Sequence, residues 1–473
     1  MNRKVKDLTK NTFLFAISSF CTKILSFLLV PLYTNVLTTS EYGIADLLST
    51  TTTLLIVVFT INIADGVLIF AMDKKCNQDK VLALGVKVIA LGSVLLFAIL
   101  GICYSIRILS WPIYYFVFVE IFFICSAFYQ MLSNFLRAID KVNRVAVAGV
   151  LSSIVYIVCN IFFLLVMKIG LNGYLISTVA GPLIGALYCF CASKKSIFSL
   201  VKERVDRKKV RDILKYCFPL VFNSIALWIN SCLDRYFITY FCGVEQNGIY
   251  SVANKIPIIL STLYTVFSQA WTLSAVKEFD REDSDGFFSK TYEMYNAVMI
   301  ISCSVLVLLN IPMAKILYAK EFFVAWNYSS VLLLGIFFNS LTAFIGSFFS
   351  ATKKSSILAY TTVVSAVINT ILNIILIPVW GVQGAAIATT VSLFVMWFVR
   401  VIKLKELVRI KVNWIKSGVV YLLLGVQIVL EHFENHMYFL QCIIVFIIVI
   451  LMIEPFIQIM KKFMSKFLSK EIR

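Results

Sequence analysis

Long apolar stretches separated by short polar gaps run along the whole chain of 473 residues. A stretch of about 20 apolar residues crosses a hydrocarbon core of roughly 30 Å as a helix. In lipid, backbone N–H and C=O groups find partners only within a helix or a closed barrel, so unbroken stretches of this length predict helices. We predict fourteen membrane-spanning helices, here called spans 1 to 14, at 11–34, 41–70, 80–104, 111–136, 145–167, 171–192, 212–241, 246–274, 288–310, 325–350, 357–378, 382–402, 414–432 and 437–460.

Lys and Arg fall almost entirely in alternate gaps between the spans. The gaps that follow even-numbered spans, together with both chain ends and the outermost few residues of the adjoining spans, hold 35 of the 43 Lys and Arg residues, whereas the other gaps hold 4. Cytoplasmic loops of membrane proteins are enriched in Lys and Arg, so both termini are predicted to be cytoplasmic. This topology and the attraction to anionic lipid account for the net charge of +18, and no nucleic-acid partner is expected.

The amino-acid composition narrows the class of protein further. A chain with 60% hydrophobic and 14% charged residues is not an ordinary soluble enzyme. The twelve cysteines form no CxxC pair, so neither a disulfide framework nor a cofactor site is expected. His432 and His436 have a spacing that can bind metal, but no third ligand is nearby, and we interpret them as solvated loop residues. No metal site is predicted.

Short motifs recur in the two halves of the chain. Three pairs appear in the same order at offsets of 205 to 213 residues: EYGI at 41–44 with QNGI at 246–249, AIDK at 138–141 with ATKK at 351–354, and GLNG at 170–173 with GVQG at 381–384. The repeating unit is therefore six spans. Because six is even, both copies start on the cytoplasmic side, as in parallel-repeat transporters.

This repeat predicts the domain organisation of an all-α polytopic membrane protein. Two parallel six-helix lobes are followed by two extra C-terminal helices that lie outside the repeat. The predicted parts are an N-terminal lobe at 1–192, a basic cytoplasmic linker at 193–211, a C-terminal lobe at 212–405, and helices 13 and 14 with a basic cytoplasmic tail at 406–473.

Charged residues within the spans are the candidate functional groups. A charge at mid-bilayer costs at least ~2.5–3.5 kcal/mol, so each should face protein or water. Setting aside residues near the span ends, we identify eight such charges, and six of them lie on the repeat-equivalent spans 1, 2, 7 and 8. We expect these helices to line a wet cavity between the lobes. The alternative is that the charges pair internally and only hold the lobes together. The six are Lys23, Arg235, Lys255, Asp46, Asp65 and Asp234; the other two, Lys87 and Glu120, are expected to be structural.

Several motifs resemble those of a known transporter group. They are LTTSEYGIADL at 37–47, Arg137-Ala138-x-x-Lys141, LDRYF at 233–237, Gly243, and GIYSVANKI at 248–256. With the twelve-plus-two helices, they make the chain similar to the multidrug/oligosaccharidyl-lipid/polysaccharide exporter superfamily. Within that superfamily, the chain resembles Wzx-type oligosaccharide flippases of O-antigen and capsule synthesis.

The resemblance implies a carrier, not an enzyme. Such a flippase moves a polyprenyl-pyrophosphate-linked oligosaccharide from the inner to the outer leaflet of the bacterial inner membrane. It implies that the cations Lys23, Arg235 and Lys255 accept the anionic head of the substrate, and that Asp46, Asp65 and Asp234 serve ion coupling or charge pairing. The implied partners are the lipid-linked oligosaccharide, membrane lipid, H⁺ or Na⁺ as the coupling ion, and other polysaccharide assembly proteins.

Other functions remain open at this point. The nearest alternatives are a lipid II flippase and a cation-coupled multidrug antiporter of the same superfamily. A membrane polymerase is less favoured because it should carry a long outer loop, and every predicted outer gap is short. An acyltransferase that depends on histidine is also less favoured, since no predicted span holds a His near its middle.

Overall fold

The computed structural model describes residues 27–73, 76–107, 111–194, 203, 206–277, 280–352, 354–433, 437–455 and 457. Within these ranges the regular structure consists of sixteen α-helices, one π-helical turn at Phe162–Val166 and one 3-10 helix at Lys320–Ala325. The chain divides into two compact units, Met1–Tyr236 and Phe237–Arg473. The predicted lobe bounds at 192 and 212 remain a prediction.

The helices are numbered here in chain order. The first eight are α1 (Val30–Val36), α2 (Thr39–Thr60), α3 (Ile63–Met72), α4 (Gln78–Ser105), α5 (Ile113–Ala138), α6 (Val142–Ile161), α7 (Gly170–Ser193) and α8 (Arg207–Cys242). The next eight are α9 (Val244–Ala253), α10 (Lys255–Lys277), α11 (Phe287–Leu308), α12 (Asn310–Leu317), α13 (Trp326–Ala351), α14 (Ser355–Leu404), α15 (Trp414–Glu431) and α16 (Tyr438–Met452).

Ten helical segments in the described part of the chain are long and apolar enough to cross a membrane. The protein is therefore an all-helical, multi-pass membrane protein, as predicted. The fourteen predicted spans map onto fewer continuous segments for identifiable reasons. Span 1 lies mostly outside the described residues, span 8 is divided between α9 and α10, spans 11 and 12 are joined in α14, and span 14 is represented by the 15 residues of α16.

Span 2 is also divided, between α2 and α3. Ile61 and Asn62 adopt left-handed backbone conformations with φ of 51° and 55°, which ends α2. Asn tolerates this conformation better than most residues. The Asn62 side chain donates hydrogen bonds to Asp65 Oδ2 at 3.2 Å and to Ser224 Oγ at 3.1 Å. These contacts provide polar partners at a break within the bilayer.

The break between α9 and α10 has a different cause. Pro257 has no N–H to donate to the carbonyl of Ala253, four residues earlier. Ser329 on α13 donates its hydroxyl to that carbonyl instead, at 2.9 Å. An exposed carbonyl in lipid would cost several kcal/mol, so this side chain makes the interruption tolerable.

Two glycine motifs form matching turns in the two units. Gly170 and Gly381 have φ of 52° and 56°, in the left-handed region that favours glycine. Gly173 and Gly384, three residues later, lie so close to the preceding helical segment that a Cβ on either would collide with it. The first glycine of each motif therefore permits the turn, and the second permits the close approach of consecutive helices.

One helix lies at the centre of each unit. In the first unit α5 packs against α2, α3, α4 and α7, and in the second unit α13 packs against α9, α10, α11 and α14. Residues on one face of α5, such as Met131 and Phe135, are fully buried. The helices α5 and α13 correspond to spans 4 and 10, which the sequence repeat pairs with each other.

The C-terminal helices α15 and α16 pack against α11 and each other. Part of this contact is polar. Ser304 donates its hydroxyl to Gln427 Oε1 at 2.6 Å, and Gln427 Nε2 donates to the Ser304 carbonyl at 2.9 Å. The Tyr421 hydroxyl donates to Asn296 Oδ1 at 2.9 Å. Helices outside the predicted repeat are thus joined to the second unit by buried hydrogen bonds.

Candidate functional site

An ion pair joins α2 and α8 in the first unit. Helix α2 begins after Thr38, which forms a reciprocal capping box with Glu41. Asp46 lies seven residues from the start of α2, and Arg235 lies seven residues from the end of α8 at Cys242. At 1.5 Å per residue each is roughly 10 Å inside its helix. The two side chains therefore sit at matching positions along neighbouring helices.

The pair is close and shielded from bulk solvent. Arg235 Nε lies 3.2 Å from Asp46 Oδ2, and the two side chains are 16% and 14% exposed. Attraction between such charges is stronger than at a water-exposed surface because the surroundings are less polarisable. Asp234 is 4% exposed, and its Oδ1 accepts a hydrogen bond from the Arg235 backbone N–H at 3.0 Å. Two carboxylates and one guanidinium thus lie together.

Two aromatic residues of α8 hold this helix against α2. Trp228 donates its indole N–H to the Thr50 carbonyl at 3.0 Å, and the Tyr236 hydroxyl is hydrogen-bonded to Thr51 Oγ1. Their rings lie 5.5 Å apart. Trp228 and Arg235 are seven residues apart, so they share one face of the helix. The spacing of seven residues could have indicated from the sequence that Trp228 lies near Arg235. A search for charged residues alone overlooks Trp228.

A cluster of tyrosines adjoins the ion pair. The Tyr33 hydroxyl donates to the Tyr156 hydroxyl at 2.8 Å, and the Tyr33 and Tyr174 rings meet edge to face with centroids 5.0 Å apart. Tyr42 lies beside both, and Tyr174 is close enough to Asp46 to interact electrostatically. Four helical segments of the first unit thus contribute phenol groups next to the charged residues.

The other predicted site residues are placed differently. Asp65 lies on α3, beyond the break, and accepts hydrogen bonds from Asn62 at 3.2 Å and Asn134 at 3.5 Å. Fourteen helical residues separate Asp46 from the end of α2, roughly 21 Å along the axis, so the two aspartates belong to separate clusters. Lys255 is the first residue of α10 in the second unit. Lys23 lies outside the described residues.

The two charges expected to be structural have local partners. Ser93 donates its hydroxyl to Glu120 Oε1 at 2.6 Å. Lys87 Nζ donates to the Glu203 carbonyl at 2.6 Å, in the basic segment predicted to lie at the inner surface. His432, the residue that follows α15, is exposed, and its ring nitrogens lie 3.0 and 3.2 Å from the carbonyl oxygens of Ile428 and Asn327, whereas His436 lies outside the described residues. Among the described residues, no group of three or more His, Cys, Asp or Glu side chains could hold a metal ion.

Arg400 is a buried charge that the sequence reasoning missed, because it lies at the predicted edge of span 12. It is 7% exposed. Its guanidinium donates to four oxygens: Thr361 Oγ1 at 2.9 Å, Thr342 O at 3.1 Å, Thr362 Oγ1 at 3.2 Å and Leu358 O at 3.4 Å. Arg400 thus joins α13 to both parts of α14, and its contacts are those of a structural residue.

The fold defines the class of protein. A lipid II flippase, MurJ, in an inward closed conformation matches with a TM-score of 0.67 and 18% identity over 95% of this chain and 99% of that one. An inward-facing MATE family multidrug resistance transporter of the MOP superfamily matches with a TM-score of 0.66 and 13% identity over 83% and 97% of the two chains. The protein has the fold of the MOP superfamily transporters.

The family follows from the sequence. The model of the polysaccharide biosynthesis protein family matches residues 8–272, and the chain belongs to this family. The probable low-salt glycan biosynthesis flippase Agl15 of Haloferax volcanii is 26% identical over 217 residues, 45% of each chain. The capsular polysaccharide biosynthesis protein CapF of Staphylococcus aureus is 25% identical over 190 residues, 40% of this chain and 48% of that one. The chain spans about half the length of the curated relatives it matches.

Proposed function

We propose that this protein carries a polyprenyl-pyrophosphate-linked oligosaccharide from the inner to the outer leaflet by alternating access, for the synthesis of a surface polysaccharide such as O-antigen or capsule. The membrane is the bacterial cytoplasmic membrane. Family membership and the resemblance to glycan flippases support the class of cargo. The observation that carries the proposal is the shielded Arg235–Asp46 pair inside a transporter fold.

Arg235 suits the anionic head of such a substrate. A pyrophosphate diester carries about two negative charges, and guanidinium binds phosphate oxygens through two parallel hydrogen bonds. Asp46 contacts the guanidinium at Nε, so a pyrophosphate would compete with Asp46 for the same cation. Lys23 and Lys255 are proposed to complete the cationic set in the working transporter.

The aspartates are proposed to link substrate binding to ions. Protonation of Asp46, or its binding of Na⁺, would weaken its hold on Arg235 and favour the substrate. Asp234 would keep the backbone at Arg235 in place through its hydrogen bond to the N–H. Asp65, in its own cluster with Asn62 and Asn134, would take part in ion coupling at a different depth of the transport pathway.

The membrane potential favours outward movement of this cargo. Moving a charge across the membrane is worth about 2.3 kcal/mol per 100 mV. Two negative charges leaving a negative interior therefore gain roughly 4–5 kcal/mol at that potential. A coupling ion would add to this driving force, and the polyprenyl tail would remain in lipid throughout.

The aromatic groups near the pair suit a sugar. Trp228 and Tyr236 present rings, and the tyrosine cluster presents hydroxyls beside ring faces. Sugars bind such surfaces through their apolar C–H faces and their hydroxyl groups. This combination of a cation with phenols and an indole favours a phosphorylated glycan over a cationic drug, which an arginine would repel.

The test is surface polysaccharide measured together with the amount of protein in the membrane. Arg235→Ala should abolish the surface glycan at near-normal membrane abundance. Arg235→Lys should restore part of it, because Lys offers one point charge in place of a planar fork. Arg144→Ala, which alters an exposed arginine hydrogen-bonded to Tyr188, is the matched control and should retain export.

A double variant separates substrate binding from mere charge pairing. If Arg235 only neutralises Asp46, then Arg235→Ala combined with Asp46→Ala removes both members of the ion pair and should restore export. The proposed function predicts that the double variant remains inactive. Restored surface glycan in the double variant would remove Arg235 from the substrate site.

A further inference from the structure

A second buried polar cluster lies in the second unit, between α12, α13 and α15. Its centre is Glu431, the last residue of α15, which is 1% exposed. Asn310, the first residue of α12, donates its side-chain N–H to Glu431 Oε1 at 2.7 Å and to the Trp326 carbonyl at 2.9 Å. Ser330 on α13 lies beside the same carboxyl. The cluster belongs to the predicted outer ends of spans 9, 10 and 13.

Two oxygen atoms in this cluster lack hydrogen-bond partners. Asn310 Oδ1 and Ser330 Oγ belong to residues that are 0% exposed, and neither atom has a partner in full hydrogen-bonding geometry within the described part of the chain; the neighbour of the Ser330 hydroxyl is the Glu431 carboxyl. A buried polar atom without a partner costs about 1–3 kcal/mol. Exchanging the oxygen and nitrogen positions of the Asn310 amide would not give the oxygen a partner. Its N–H groups already donate to two acceptors, and the oxygen would then face those acceptors instead.

Both oxygens belong to side chains that contact one carboxyl group. The position of Glu431 adds to the local negative potential, because the C-terminal end of a helix carries a partial negative charge. Its neighbour His432 directs its ring nitrogens to the carbonyls of Ile428 and Asn327, at 3.0 and 3.2 Å, and not to the carboxyl. Amide, hydroxyl and carboxylate groups thus belong to one buried cluster at a helix end where a positive charge is favoured.

We propose that Glu431, Asn310 and Ser330 form a binding site for a monovalent cation of the Na⁺ type. Carboxylate, carbonyl and hydroxyl oxygens are the ligands of hard cations. Mg²⁺ and Ca²⁺ call for more carboxylate charge or several retained waters, whereas a single carboxylate balances one monovalent charge. The bound ion takes up the two unpartnered oxygens and holds α15 to α12 and α13.

This site differs from the Asp46–Arg235 site in its unit, its helices and its chemistry. It includes α15, which lies outside the predicted six-span repeats. The proposal does not depend on the cargo, because ion binding is measurable without any glycan. A failed export assay and a failed ion-binding assay therefore bear on separate conclusions.

The experiment is thermal unfolding of the purified full-length protein in NaCl, KCl or choline chloride at matched ionic strength. Na⁺ should raise the unfolding midpoint of the wild-type protein in a saturable manner, beyond K⁺ or choline. Glu431→Gln should abolish the increase. Ser330→Ala removes only the unpartnered hydroxyl, so the protein should fold normally and its apparent Na⁺ affinity should fall about tenfold.

Ser329→Ala is the matched control on the adjacent residue. Ser329 already bonds to the carbonyls of Ala253 and Ala325, so its loss should lower the midpoint in every salt and leave the Na⁺ increase unchanged. An Na⁺ increase that persists in Glu431→Gln, or an apparent Na⁺ affinity that is unchanged in Ser330→Ala, would overturn the site, and so would the absence of any increase in the wild-type protein.

A pH series distinguishes a sodium ion from a proton. Besides Glu431, the titratable groups at this position are His432 and Tyr438, both close enough to interact with the carboxyl. If the cluster only holds a proton, the midpoint should follow pH in choline chloride and not respond to Na⁺ at any pH. That result would also overturn the proposal.

Discussion

At the scale of residues, two arginines illustrate different uses of a charge inside a membrane protein. Arg235 meets a carboxylate and stays partly accessible, at 16% side-chain exposure. Arg400 is more deeply buried, and the acceptors described around it are threonine hydroxyls and backbone carbonyls. The first arrangement leaves a charge that a ligand can reach, and the second uses the guanidinium as a multiple hydrogen-bond donor that joins helices.

This contrast predicts opposite consequences of substitution. Arg400→Ala should lower the free energy of unfolding by about 2–4 kcal/mol, because it leaves carbonyls unsatisfied and creates a cavity. Membrane abundance should fall with it. Thermal unfolding of purified Arg400→Ala and Arg235→Ala side by side measures the difference. Equal stability of the two variants would contradict the structural role of Arg400.

How far the site could be predicted also depends on particular residues. Asp46 and Arg235 were both predicted as site residues, since a charge within an apolar stretch is visible in the sequence. Their pairing was not, because depth along one helix does not reveal which helix lies alongside. Asn310, Glu431 and Gln427 fall at or near predicted helix ends, where polar residues are ordinary, so no sequence pattern indicated that they lie close together.

At the scale of helices, the glycine motifs predict a position-dependent response to alanine. Gly173→Ala and Gly384→Ala should each lower the free energy of unfolding by about 1–3 kcal/mol, because a Cβ collides with the preceding segment. Gly418→Ala and Gly425→Ala on α15 have no atom within 4 Å of the added Cβ. These controls should be neutral or stabilising by up to ~1 kcal/mol.

Thermal unfolding of the four glycine variants in one detergent checks this pattern. The same loss at all four positions would indicate a general effect of alanine in these helices. The helix bounds near the motifs were predicted within a few residues, since the glycines mark the turn. The joining of spans 11 and 12 in one helix, α14, was not predicted, because Gly381 changes the chain direction without adding a loop.

The break between α9 and α10 predicts coupling between two distant residues. Ser329→Ala should cost about 1–3 kcal/mol, since the Ala253 carbonyl then loses its donor. Pro257→Ala supplies an N–H four residues after that carbonyl. In a Pro257→Ala background the cost of Ser329→Ala should therefore be smaller. A double-mutant cycle of unfolding free energies measures the coupling, and strictly additive effects would argue against it.

At the scale of the whole molecule, the Lys and Arg asymmetry predicts which surface each loop faces. In a background without native cysteines, single cysteines at Asn35 and Gln246 should react with an impermeant thiol reagent in intact cells. Cysteines at Asn77 and Ser284, both exposed, should react only after permeabilisation. Labelling at Ser284 in intact cells would contradict the predicted topology.

The hydrogen bonds between α11 and α15 also affect how the protein is made. Ser304 and Gln427 are 123 residues apart in the chain. At about 5–20 residues per second, ribosomes need roughly 6–25 seconds to reach the second partner after the first. During this interval the half-made second unit holds Ser304 and Asn310 in the membrane without the partners that α15 brings. The nascent chain is open to quality-control proteases during this interval, and any delay in translating the last spans would lengthen it.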